Sequence, residues 1–178
     1  MNNTQLYNAM KKSIIAMIFI AFASPLLSQA ATNDSSKLAM VLVLKQQQGE
    51  YHPPYVAAWI ENSERQSVRT LLLWRKEPKW LKDIRRWWRN VGRKDSNLVD
   101  AITSATHAAG SFPLTFNLED DNQQTLIKGK YTLYLEVVRE KGSRALLEQT
   151  FTLDNKTQQN FTLNETAETG TITLTITP

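Results

Sequence analysis

From residue 38 onward the chain is built of short apolar runs separated by turn residues. Residues 38–44 (Leu-Ala-Met-Val-Leu-Val-Leu), 55–60 and 68–74 read as three strands, with 46–49 and 62–64 as turns. Later runs at 112–118, 131–138, 145–153, 161–163 and 171–177 bring the number to about eight. Alternation is clean in the last, where Ile172, Leu174 and Ile176 face one way and Thr171, Thr173, Thr175 and Thr177 the other. Strands at this spacing predict a mainly β domain, an immunoglobulin-like antiparallel β-sandwich.

One segment departs from that period. Trp80, Leu81, Ile84, Trp87, Trp88 and Val91 share one helical face, while Lys79, Lys82, Arg85, Arg86 and Arg89 occupy the other. Pro78 suits a first helical turn and Gly92 an exit, so a single amphipathic, cationic helix is predicted over about 79–91, inserted in the sandwich. Two readings of it can coexist. The tryptophans cover one face of the sandwich and the arginines are solvated, or the basic side meets something anionic: phospholipid head groups, a partner or the phosphate of a ligand.

At its start the chain has polar residues ending in Lys11-Lys12, an apolar run over 13–27 and small residues around Ala30-Ala31. This is the layout of a secretory signal peptide, with cleavage expected after Ala30 or Ala31, and the run is short for a membrane span. The expected organisation is thus a leader over 1–30 and one β-sandwich domain over 31–178, located in the periplasm.

Composition narrows the chemistry. The 178 residues include no cysteine and two histidines, which removes disulfides, thiolate metal sites, cysteine nucleophiles and a His-rich metal centre. Without the leader, 19 basic residues face 17 acidic ones, a net +2, yet the stretch 69–94 alone carries +8. Only one surface is therefore basic. Export and the lack of any recognition motif argue against nucleic acid. A hydrolytic triad lacks a Gly-X-Ser-X-Gly elbow, and the acidic residues near His52 match no metal-ligand spacing, so neither catalytic nor metal-ligating residues are assigned. An independent enzyme is not expected.

Downstream of the basic stretch runs Asp100-Ala-Ile-Thr-Ser-Ala-Thr106-His107. It resembles the sequence that secreted flavin transferases modify: Asp, two residues, Ser or Thr, Gly, Ala, then Thr or Ser. The resemblance implies covalent FMN on the Thr106 hydroxyl through a phosphodiester. Asp100, Thr103 and Ser104 belong to the motif, and Ser104 stands where the pattern most often has glycine. His107 is a further candidate contact. Trp87, Trp88 and Arg89 are candidates to stack on the flavin ring and pair with its phosphate. The competing reading is a polar connection in which Asp100 serves as a cap.

The strands at 55–60 and 68–74, the basic Trp-rich stretch, the 100–106 segment and Gly129-Lys-Tyr131 running into Glu136-Val-Val-Arg-Glu140 together resemble domain-of-unknown-function family 2271, small predicted periplasmic proteins. This implies the company of PepSY-type membrane reductases, flavin transferases and iron-uptake functions. Asp120-Asp121 followed by Gly129-X-Tyr131 also resembles a hairpin of immunoglobulin-like domains such as those of flagellar hook-capping proteins. Two functions follow as expectations. One is an FMN-bearing electron carrier working with a PepSY-type reductase or an iron-uptake system. The other is a cofactor-free docking module whose basic helix meets a membrane protein or anionic lipid.

Overall fold

A computed structural model describes residues 36–154 and 156–178; the expected leader lies outside them. Two sheets stack face to face. One has the order β5-β1-β9-β8 and the other β4-β3-β2-β6-β7, built from β1 (Lys37–Leu44), β2 (Tyr55–Asn62), β3 (Ser67–Arg75), β4 (Thr103–Ala105), β5 (Gly110–Asn117), β6 (Gly129–Val138), β7 (Arg144–Leu153), β8 (Gln159–Leu163) and β9 (Ile172–Thr177). The eight expected strands are present, each within a few residues of its expected bounds.

Alternation decides which side chains enter the sandwich. Leu38, Met40, Leu42 and Leu44 of β1 and Ile172, Leu174 and Ile176 of β9 are buried in the core, and Thr175 and Thr177 lie outside it. Each fully buried Leu or Ile is worth roughly 1.5–3 kcal/mol. Tyr131, at the start of β6, donates its phenol to the carbonyl of Ile127 at 2.8 Å. This ties the strand to the backbone four residues upstream, as a tyrosine corner does in immunoglobulin-like sandwiches.

The five-stranded sheet is buried on both faces, which explains why β2 is apolar without alternation. Val56, Ala58 and Ile60 enter the sandwich core, whereas Tyr55, Ala57 and Trp59 join a second cluster with Leu81, Ile84, Trp87 and Val91. That second cluster is the underside of the basic segment. In β3 the pairing with β2 skips Leu71 and Val68. These bulges reset which side chains point outward, and Thr70 reaches the indole of Trp87.

The expected single helix is not formed. The segment is a 3₁₀ stretch (Pro78–Asp83), one α-turn (Arg85–Trp87) and a π-turn (Trp88–Gly92). The break is at Ile84, whose ψ of 71° leaves the helical region. Beyond it the new turn begins on the carboxylate of Glu136, which accepts from the backbone N–H groups of Arg86 and Trp87. A continuous helix would hold those two N–H groups in its own ladder and withdraw them from that carboxylate. Gly92 closes the segment because a Cβ there would lie 2.6 Å from the rings of both Trp87 and Trp88.

A second difference follows. The stretch whose competing reading is a polar connection forms α1 (Ser96–Ile102) and then β4, which pairs in parallel with β3. The cap of α1 is Asp95, accepting from Leu98 N at 2.9 Å, and not Asp100. The sandwich therefore carries one parallel edge pair in an otherwise antiparallel scaffold.

Candidate functional site

Two carboxylates on the outer face of the five-stranded sheet, both essentially excluded from solvent, organise the basic segment. Glu136 receives the two N–H groups and, at 2.6 Å, Nε of Arg144. Glu61 receives the indole N–H of Trp59 at 2.9 Å, the guanidinium of Arg86 at 3.1 Å and the amide of Asn90 at 3.1 Å. Arg86 also lies 3.9 Å above the ring of Tyr134, which stacks on Trp59. Burial pushes the Tyr134 phenol above its ordinary value, with Arg86 opposing. Buried carboxylates need several such donors to offset desolvation, and the segment supplies them.

This divides the cations into two groups. Arg86 is committed to the interior, while Lys79, Lys82, Arg85, Arg89, Arg93 and Lys94 are exposed and form no ion pair among the described residues. The tryptophans are divided as well. Trp87 is fully buried and donates its indole N–H to Thr70 at 3.3 Å, which leaves no face for a ligand. Trp80 and Trp88 are half-buried against the second cluster.

The motif runs along the edge of the same sheet. Asp100 is exposed on α1, Ser104 and Ala105 are exposed in β4, and His107 is exposed beyond it. Both threonines are pinned. The Thr103 hydroxyl donates to Val99 O at 2.6 Å and accepts from Arg75 Nε at 3.2 Å. The half-buried Thr106 donates its hydroxyl to the carbonyl of Pro54 and its N–H to that of Arg75. His107 packs edge-on against Trp74, with Phe112 beside them.

The motif has a different company from the one expected. Small exposed residues precede Thr106 and leave the edge open to a second protein. The guanidinium in contact with the segment is that of Arg75, not Arg89. The neighbouring aromatic group is His107–Trp74–Phe112, not Trp87. No local spacing reveals Arg75 as a neighbour of Thr103, since 28 positions separate them and only the parallel pairing of β3 with β4 joins them.

A cavity of about 400 Å³ opens between the 3₁₀ stretch and the β6–β7 turn, with Tyr55, Trp80 and Val138 as apolar walls and Arg85 and Arg144 among its polar ones. Nothing in the local sequence marks it, because its walls come from three separate stretches of chain. Among the described residues no cluster of His, Asp and Glu could hold a metal ion, and no helix is long and apolar enough to cross a membrane.

Compared with known proteins, residues 38–171 match the model of a family described as "Predicted periplasmic protein (DUF2271)". No curated protein matches the chain significantly.

Proposed function

Since the chain belongs to the DUF2271 family of predicted periplasmic proteins, we propose that it is an exported flavin carrier, released from a leader over 1–30 and bearing FMN covalently on Thr106. The observation that carries this reading is the presentation of the motif. Ser104, Ala105 and His107 are exposed on a sheet edge, while the hydroxyls of Thr103 and Thr106 are held by the backbone. In this reading a modifying enzyme approaches over the exposed Ser104, Ala105 and His107 and draws the half-buried Thr106 hydroxyl away from Pro54. Freeing the Thr106 hydroxyl from Pro54 costs the net worth of one hydrogen bond, about 0.5–1.5 kcal/mol, which is no obstacle to enzymic modification.

Bound FMN would supply the redox chemistry, accepting electrons from a PepSY-type membrane reductase and passing them to an acceptor such as a ferric complex. The chain's own residues position it. Arg75, held on the Thr103 hydroxyl, offers charge to the motif, Asp100 an acidic group for the modifying enzyme or its metal, and the exposed His107 an aromatic neighbour, with Trp74 buried behind it. Coexpression of the exported protein with a flavin transferase, followed by intact-mass measurement, tests the assignment. The expected increment is one FMN less water, absent in Thr106→Val; no increment, or one that survives the substitution, overturns it.

A second reading is favoured by the unpaired cations around Arg85 and Arg89: a docking module for anionic lipid, with or without the flavin. It expects binding to vesicles rich in phosphatidylglycerol that weakens with salt and in the double variant Arg85→Gln, Arg89→Gln. Binding indifferent to both would count against it. Arg86 is unsuitable for that test because its charge serves Glu61.

A further inference from the structure

We propose that the cavity between Trp80 and the β6–β7 turn binds a small monocarboxylate with an aromatic or aliphatic body. The site is separate from the motif edge and requires no flavin.

Arg144 supplies the first argument. Its Nε is fixed on the buried Glu136 at 2.6 Å, whereas its two terminal nitrogens make no hydrogen bond among the described residues. A guanidinium anchored along one edge is pre-organised to present the other to a carboxylate, with little side-chain freedom left to lose on binding. Arg85 lines the same cavity, is exposed and forms no ion pair among the described residues. Arg139, also in the lining, is excluded from this role. Its guanidinium is spent on Glu168 at 2.7 Å and on the carbonyls of His52 and Lys45.

Charge balance then selects the class of anion. Arg85, Lys141 and Arg144 line the cavity together with Asp83 and Glu140, and Glu136 neutralises Arg144 from beneath. The local sum is close to zero. A phosphate or nucleotide would bring about two negative charges beside Asp83 and Glu140, whereas a single carboxylate can be met by the two guanidinium groups alone. The walls select the body: the half-buried indole of Trp80, the ring of Tyr55 and Val138 are apolar. A volume of about 400 Å³ lies in the range of small-molecule pockets. Tyr55 is held in place, since its phenol oxygen accepts from Glu77 N at 2.9 Å.

Titration calorimetry on the exported protein, with 3-phenylpropanoate, its methyl ester and inorganic phosphate as probes, tests the proposal. The acid should bind with submillimolar Kd, the ester at least tenfold more weakly, and phosphate should not compete. Arg85→Gln, at an exposed position, should weaken the acid at least fivefold. Arg144→Lys, which keeps a charge for Glu136 but loses the fork, should do the same while circular dichroism is unchanged. Equal binding of acid and ester, no binding of the acid, competition by phosphate, or an acid affinity unchanged in Arg85→Gln would each overturn it. Thr106→Val should bind the acid like the wild type, so failure of the flavin assignment leaves this result intact.

Discussion

Glu136 accepts the backbone N–H of Trp87 at 3.0 Å across 49 positions of sequence, and that contact decides how the Trp-rich segment folds. A carboxylate in the outer face of β6 starts a helical turn that the segment's own periodicity would not start there. Fully excluded from water, it is balanced by two N–H donors and Arg144.

Removing that carboxylate should therefore loosen the segment as a unit. Glu136→Ala is expected to cost about 2–4 kcal/mol, since it leaves two backbone donors without an acceptor and Arg144 without its anion. Urea unfolding followed by far-UV circular dichroism measures it; a cost within about 0.5 kcal/mol of zero would mean that the carboxylate does not anchor the segment.

Gly92→Ala probes the closure of the same segment. The added methyl meets the Trp87 and Trp88 rings at 2.6 Å, so one indole must move. Overpacking of this kind costs roughly 1–3 kcal/mol. A lower melting temperature with red-shifted tryptophan emission is the expected result, and an unchanged spectrum would show that the rings are not packed on this position.

Cations of the same segment should behave differently when neutralised. Arg86→Gln withdraws charge from Glu61 and from the Tyr134 ring and should destabilise the fold by about 1–3 kcal/mol. Arg89→Gln, at an exposed residue, should stay within about 0.5 kcal/mol of wild type. Equal costs would contradict the division into interior and surface charges.

Asp121 gives the pH dependence a sign. Burial raises its carboxyl above the ordinary 3.8, against the opposing hydrogen bond from Thr70 N and the nearby Arg69. The folded chain thus holds this proton more tightly than the unfolded chain. The contribution to stability is fully present below about pH 3.8 and is lost as pH rises through the raised folded value. In Asp121→Asn, which can still accept from Thr70 N, this dependence should vanish. Unfolding free energies from pH 3 to 6 should move in favour of the variant as pH rises; a gap between variant and wild type that does not change with pH would refute the assignment.

Strands were legible because their signal is local. Ile172, Leu174 and Ile176 alternate with threonines, and that period of two predicts both the element and its buried face. The amphipathic character of the basic segment was legible for the same reason: Leu81, Ile84, Trp87 and Val91 are all buried, as their spacing predicts. The β4 strand was not, since three residues, Thr103–Ala105, carry no period and exist as a strand only through β3. For the motif, the sequence placed Asp100, Thr103 and Thr106 in order but could not show that the guanidinium of Arg75 lies on Thr103.

By itself, then, the sequence determined a mainly β sandwich, the faces of its strands, a basic amphipathic insertion and the absence of cysteine chemistry. Tertiary structure alone decided that the insertion is broken at Ile84, that Trp87 belongs to the core, and which arginines remain free. The physical reason is reach. Periodicity reports what a residue shares with neighbours three or four positions away, whereas Glu136 and Glu61 act on Trp87 and Arg86 from 49 and 25 positions off. A buried carboxylate that must collect its donors sets the backbone more strongly than helix propensity does.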